Sequence, residues 1–466
     1  MPTAVQGERE VFRVIVLSPD GKDILVVPDR NRFVLPSVEI PRWQRMAENL
    51  AAAVRNDWKE EVVCLFELND LPGTYGPGVH YQIAQHWGGV GVPRILTKWI
   101  PVATLSKDSP IDVTDHSAVQ QAILRCGTDR EASPVGPFTT LGWFEELRGW
   151  VEEIVEPLGF RLNGSFRQLN ASPTFSLIRF ETDGSALWFK AVGEPNQREF
   201  PITCELSRLF PRYLPIVLGT RPEWNGWLTR EAVGKLLSDT QEDALWEKSA
   251  SALAELQNDS IDHDAHILAA GVRDLGVNKL SKMVSPFIET MSQLMEQQIR
   301  TPPAPLNRKE LLFLGDRLQT ALEALETLGI PETLGHLDLN PGNIVASPDR
   351  CVFLDWAEAY IGNPFFTFQY LLEHLRRTGA GDSAVEMGLV SSYREPWERM
   401  VGRTAIDEAL SLTPLLAVFA YAAGTELWRD EERMQDPATA GYLRSLARRM
   451  HREANSLNER RSVCLR

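Results

Sequence analysis

Two apolar runs, residues 11–17 and 23–27, flank the turn-forming Pro19-Asp20-Gly21, a pattern that predicts paired short strands. Phe33-Val34-Leu35-Pro36 follows. Across residues 43–58, Met46, Leu50, Ala53, Val54 and Trp58 fall near helical spacing, so a helix is expected there. Residues 62–68 and 95–100 read as further strands. Residues 113–124 read as a closing helix, with Thr114 or Asp115 as its N-cap. Residues 126–140, rich in Gly, Ser, Pro and charge, have the composition of a linker. Beyond them a helix is predicted over 143–158 and strands over 165–169, 174–180 and 186–192. From Glu231 onward the pattern is mostly helical, broken by one Asn-Pro-Gly loop. Three regions result: residues 1–130, residues 141–230, and residues 231–466. The class is α+β, with a small β-rich lobe ahead of a large helical one.

A chain of 466 residues exceeds the usual size of a single core, which agrees with several domains. Its apolar fraction of 43% and charged fraction of 24% are those of an ordinary globular protein. The formal net charge of -15 argues against nucleic acid as a partner, because phosphate neutralisation needs clustered Lys and Arg. The basic residues Arg444, Arg448, Arg449, Arg452, Arg460 and Arg461 are read as a solvated helix face. Five scattered cysteines without a C-x-x-C pair predict reduced thiols and no zinc site. The first ten residues lack the apolar core of a signal peptide, and the apolar run 415–423 is too short for a membrane span. A soluble, cytoplasmic protein without a membrane partner is therefore expected.

Candidate chemistry sharpens this picture at His336-Leu337-Asp338-Leu339-Asn340-Pro341-Gly342-Asn343. The spacing is H-x-D-x-x-x-x-N. Phosphoryl transfer needs a carboxylate to orient the attacking hydroxyl and an amide oxygen to hold Mg²⁺, and Asp338 and Asn343 supply both from one loop. Downstream, Val352-Phe353-Leu354-Asp355-Trp356 is an apolar strand ending in an aspartate, a rigid way to present a second carboxylate to a metal.

These residues, with Ile361-Gly362-Asn363-Pro364, resemble the signature "HxDxxxxN … hDW … GxP" of the aminoglycoside phosphotransferase and choline kinase family. The resemblance runs from about residue 141 to the C-terminus. It implies a bilobal protein-kinase-like fold and a kinase that transfers the γ-phosphate of ATP or GTP, with Mg²⁺, to a hydroxyl of a small molecule. It implies Asp338 as catalytic base, with His336 beside it as the packing and hydrogen-bonding support of the loop. Asn343 and Asp355 are implied as Mg²⁺ ligands. Family members commonly carry aspartate where Asn363 and Thr367 stand, and that departure predicts a less rigid loop. A non-catalytic nucleotide sensor is the alternative reading.

Upstream, Leu187-Trp188-Phe189-Lys190-Ala191-Val192 is an apolar strand interrupted by one lysine, which suits a grip on nucleotide phosphates. Glu199 and Glu205 are both candidates to hold that lysine, and its distance from Lys190 favours Glu199. The turn Asn170-Ala171-Ser172-Pro173-Thr174 is the expected phosphate cover, through its N–H groups and the hydroxyls of Ser172 or Thr174. Residues 226–232 are expected to connect the lobes.

Residues 11–126 resemble a Nudix-type α/β sandwich whose site has eroded. A working Nudix site needs G-x5-E-x7-R-E-U-x-E-E. Setting Glu39 on the first glutamate places Phe33 on the glycine and Ala47 on the arginine. Glu48 is kept, Ala51 and Ala52 replace the paired glutamates, and Glu60 and Glu61 come too late to restore the spacing. The resemblance therefore implies a non-hydrolytic front domain used for docking, regulation or recruitment. His80, His86 and His116 share no metal-site spacing.

Overall fold

A computed structural model describes residues 9–30, 32–42, 45–68, 80–88, 97–105, 111, 113–126, 136–378 and 383–464. The chain divides into two compact units. One comprises Met1–Phe200 and Ile216–Glu231, the other Pro201–Pro215 and Ala232–Arg466.

The first unit opens with β1 (Arg9–Leu17), β2 (Asp23–Asp29), β3 (Arg32–Val34), β4 (Ser37–Pro41), α1 (Met46–Trp58), β5 (Val62–Glu67), β6 (His80–His86), β7 (Lys98–Pro101) and α2 (Val113–Arg125). Their sheet runs β3-β2-β1-β6-β5, with β4 also on β1 and β7 on β2. β1 and β6 are parallel; the other pairs are antiparallel. Successive side chains of a strand point to opposite faces. Phe12, Val14 and Val16 accordingly enter a core with α1, while Ile15 and Leu17 enter another. β6 was not foreseen, because Gln82, Gln85 and His86 break its apolar pattern although all three are buried. Asp115 does not cap α2. Its buried carboxylate pairs with Arg13 and accepts a hydrogen bond from Tyr81 Oη at 2.8 Å.

The same unit continues with α3 (Trp143–Val155), β8 (Leu162–Ala171), β9 (Ser176–Thr182), β10 (Leu187–Ala191), the start of α4 (Glu199–Leu209), β11 (Val217–Arg221) and β12 (Gly226–Arg230). The strands form an antiparallel sheet in the order β11-β12-β10-β9-β8. Residues 226–230, expected in the connector, are thus a sheet strand.

The front region and this sheet were expected as separate domains, yet they share one hydrophobic core, from Ile15 through Phe138, Phe144 and Ile178 to Leu228. Of the expected linker, residues 127–135 lie outside the described residues. Residues 136–140 are no exposed tether, since Phe138 and Thr139 are buried. Gln168 of β8 acts as a surrogate strand. Its Oε1 accepts the Cys64 N–H and its Nε2 donates to the Cys64 carbonyl, both at 2.8 Å. Gln85 Oε1 likewise accepts the Gly142 N–H at 2.8 Å. Trp87 packs edge-on to Phe144 and Phe166, at centroid distances of 4.7 and 5.9 Å. Burial pushes the Cys64 and Cys126 thiols up to about 12, so they are inert at neutral pH.

The second unit contains the rest of α4, then β13 (Lys235–Leu236), α5 (Asp243–Asp259), α6 (Asp264–Ala269), β14 (Arg273–Leu275), α7 (Val277–Glu296), α8 (Arg308–Thr327), β15 (Thr333–His336), β16 (Ile344–Ala346), β17 (Cys351–Phe353), β18 (Ala359–Gly362), α9 (Phe365–Thr378), α10 (Ser383–Glu398), α11 (Arg403–Gly424), α12 (Glu431–Met434) and α13 (Pro437–Cys464). β14-β18-β15 and β13-β16-β17 form small sheets set among the helices. The apolar run 415–423 belongs to α11, which at 22 residues is long and apolar enough to cross a membrane; 61% of its most apolar window is buried inside the protein. There it packs against α8, α9 and α13 as a core helix.

Candidate active site

β15 is buried along its whole length and pairs with β18, so the loop that follows leaves a rigid edge. Leu337 and Leu339 are buried anchors, and Asp338 between them faces solvent. The Leu337 N–H donates to the Glu358 carbonyl at 2.9 Å. The Asp338 carbonyl accepts the Asn340 N–H at 2.8 Å and Asn343 Nδ2 at 3.0 Å. Asn340 Oδ1 accepts the Gly342 N–H, closing the Pro341–Asn343 turn. With its amide nitrogen spent on the loop, Asn343 has its side-chain oxygen as the donor to offer a cation. The Leu354 N–H reaches the Asn343 carbonyl at 2.8 Å, tying that residue to the approach of Asp355.

Asp355 is exposed and sits at φ 64°, in the left-handed region. A non-glycine residue held there costs roughly 1–3 kcal/mol, which the surrounding structure must impose. Its peptide is pinned by the Asn343 contact on one side and by Trp356, whose Nε1 donates to the Phe353 carbonyl at 3.1 Å, on the other. Asn343 and Asp355 offer hard oxygen donors. Two such ligands suit Mg²⁺, which keeps waters and takes phosphate oxygens as its remaining ligands. Among the described residues no cluster of three His, Cys, Asp or Glu side chains is placed to hold a metal.

His336 joins the two halves of the site. Its Nδ1 accepts the Asp338 N–H at 3.0 Å, and its Nε2 lies 3.2 Å from the Leu354 carbonyl. The ring is therefore the Nε2–H tautomer, with both nitrogens committed to main chain. Burial lowers its pKa despite the nearby carboxylates of Asp355 and Asp338, so it stays neutral. With neither ring nitrogen left to exchange a proton with a substrate, His336 is placed as a positioning residue beside Asp338.

In the first unit, Leu187, Phe189 and Ala191 of β10 point into the core, while Lys190 lies on the opposite face. Its Nζ is 2.6 Å from Glu199 Oε1, and only 2% of Glu199 is exposed. Trp227, opposite Lys190 across the β10–β12 pair, places its ring centroid 5.8 Å from the ammonium. Glu205 instead pairs with Arg208 on its own helix, which lowers its pKa. That resolves the choice between the two glutamates. Trp227 was not singled out from sequence, where nothing distinguishes it from a core tryptophan.

The β8–β9 turn is tightly held. Ser172 Oγ accepts the Phe175 N–H at 3.0 Å, and the Ser172 N–H donates to the Phe175 carbonyl at 2.9 Å, so both groups serve the turn itself. Thr174 packs on Gly193, where a Cβ would come within 2.3 Å of Thr174 Oγ1. The Pro173 carbonyl accepts the Phe138 N–H at 3.2 Å. Gly136, at φ 148°, passes so close that a Cβ there would sit 2.1 Å from the same carbonyl oxygen. The expected phosphate cover is thus clamped by the segment that leads out of the front region.

Residues absent from the sequence reading also lie beside the loop that carries Asp338. Gly424 of α11 abuts Leu337, where a Cβ would lie 2.7 Å from Leu337 Cδ1. One turn earlier Tyr421 accepts a hydrogen bond from Tyr442 at 2.9 Å and packs near Tyr370, at 5.8 Å between centroids. Burial raises the Tyr421 pKa and lowers that of His374, and the Asp338 charge adds a smaller effect on each. No spacing rule links these positions, and only the packing of α9, α11 and α13 brings them together.

Residues 223–402 match the model of the phosphotransferase enzyme family. The matched segment includes Asp338, Asn343 and Asp355 and excludes Lys190 and Glu199. No curated protein sequence matches the chain. Solved structures with which it aligns include a macrolide 2'-phosphotransferase from Brachybacterium faecium, at 17% identity over 64% of this chain and 98% of that one, with a TM-score of 0.41. Ethanolamine kinase from Plasmodium vivax aligns at 13% identity over 70% and 94%, with a TM-score of 0.44. Choline kinase LicA from Streptococcus pneumoniae aligns at 16% over 67% and 99%, with a TM-score of 0.42.

Proposed function

We propose that the chain is a nucleotide-dependent O-phosphotransferase that moves the γ-phosphate of ATP or GTP to a hydroxyl of a small molecule. The observation that carries this reading is the single buried ring of His336, which sets the Asp338 main chain and the approach to Asp355 in one hydrogen-bonded frame. The family match over residues 223–402 supports it. Asp338 Oδ would take the proton of the acceptor hydroxyl as the new O–P bond forms. The bond from the γ-phosphorus to the bridging oxygen breaks, and its electron pair leaves with the nucleoside diphosphate. Asn343 and Asp355 would hold Mg²⁺, which neutralises charge on the phosphate oxygens. Lys190, held by Glu199, would grip the remaining phosphates. Tyr421, on which the Asp338 charge acts, would line the acceptor side.

The front region would be a non-hydrolytic Nudix-like fold. Of the motif carboxylates this chain keeps, Glu48 pairs with Arg167 and Glu39 with Arg9, and Ala51 and Ala52 stand where the paired glutamates would hold metal.

Lys190→Ala tests the donor side. Losing a charge-assisted hydrogen bond worth about 1.5–3 kcal/mol should weaken Mg²⁺-nucleotide binding about tenfold or more in titration calorimetry. Affinity equal to that of the wild type would remove Lys190 from the site.

A further inference from the structure

The residues that depart from the family pattern, Asn363 and Thr367, are not idle in this chain. Thr367 Oγ1 lies 2.8 Å from the main-chain nitrogen of His336 and 3.0 Å from Tyr360 Oη. Tyr360 Oη lies 2.9 Å from the Asn363 carbonyl. The Asn363 side chain accepts the Phe365 N–H at 3.1 Å, at the start of α9.

The direction of each bond follows from which atoms carry protons. The His336 N–H can only donate, so Thr367 Oγ1 accepts it. The Asn363 carbonyl can only accept, so the one proton of Tyr360 goes there. Thr367 must then donate its own proton to Tyr360 Oη. The result is a one-way relay from the His336 N–H through Thr367 and Tyr360 to the Asn363 carbonyl. Every residue in it is buried. The Tyr360 ring also walls Gly335, where a Cβ would lie 2.1 Å from its Cζ, so the end of β15 at His336 has no room to shift toward that ring.

We infer that Thr367 and Tyr360 are positioning residues for Asp338, acting through His336 and without charge. Resting on the reading of Asp338 given above, this extends it to side chains that never meet the substrate. The relay fixes the His336 main chain, the His336 ring then fixes the Asp338 N–H, and the carboxylate follows. A carboxylate that orients a nucleophile must be held to within about half an ångström, so loosening its support acts on the chemical step.

Thr367→Val keeps the shape while leaving the His336 N–H and Tyr360 Oη without their partner. Tyr360→Phe breaks the relay at its other end. The assay is nucleoside diphosphate release from Mg²⁺-ATP and Mg²⁺-GTP, with water as acceptor, for both variants, Thr367→Ser, Asp338→Asn and the wild type. Both relay variants should lose about 10–100-fold in kcat, as losses of supporting hydrogen bonds do elsewhere. Nucleotide KM should stay within about threefold of the wild type, and Thr367→Ser, which restores the hydroxyl, should return kcat to a similar margin. If Thr367→Val does not fold, Tyr360→Phe decides. Relay variants with wild-type kcat beside an inactive Asp338→Asn would overturn the relay alone. Wild-type turnover in Asp338→Asn, or no release from the wild type with either nucleotide, would overturn the reading of Asp338 beneath it.

Discussion

Asp338→Ala is expected to lower turnover about 10²–10⁴-fold while nucleotide affinity stays near that of the wild type. The asymmetry follows from how the loop is built. The bonds that shape it use the Asp338 main chain: its N–H to His336, and its carbonyl to Asn340 and Asn343. Alanine preserves all of them. Leu337 and Leu339 remain buried on either side, so truncating the exposed carboxylate leaves no cavity. What disappears is the group proposed to take the acceptor proton. Steady-state turnover with binding by calorimetry separates the two effects. Turnover within a few-fold of the wild type would show that the base is elsewhere.

Removal of the front region should cost the fold itself. In a chain of residues 136–466, Phe144 and Phe166 lose Trp87, Gln168 loses both bonds to Cys64, and the Gly142 N–H loses Gln85. Exposing a large apolar side chain costs about 1.5–3 kcal/mol, and the shared core would uncover several, Phe138, Phe144 and Ile178 among its members. A handful of such losses matches the roughly 5–15 kcal/mol by which domains are stable. The expected product is insoluble or melts without a cooperative transition. A truncated chain melting cooperatively, within a few degrees of the full-length protein, would show that the front region is a detachable module.

The loop around Asp338 was legible because its groups are consecutive in sequence and the chemistry demands those residue types at that spacing. Lys190 was legible because a lone cation in an apolar strand needs a partner. Its partner was legible only through distance along the chain, which favoured Glu199 over Glu205, the two differing only in their place on α4. Strand β6 escaped notice because its buried Gln85 and His86 are satisfied by distant residues, Gly142, Glu145 and Glu60, which local periodicity does not register. The boundary near residue 130 looked like a linker by composition, yet buried Phe138 and the Gln168–Cys64 pairing join the two sides. At Thr367 the loss of a charge suggested a slacker loop. A hydroxyl that accepts from His336 and donates to Tyr360 fills the place, and residue type alone did not reveal it.

The most direct measurement is thermal melting of the full chain with ATP, GTP or neither, each with and without Mg²⁺, repeated on Asp355→Ala. The expected result is a rise in melting temperature that requires both Mg²⁺ and a nucleotide and that shrinks or vanishes in the variant. No rise with either nucleotide in the folded wild-type protein, or an undiminished rise in Asp355→Ala, would contradict it.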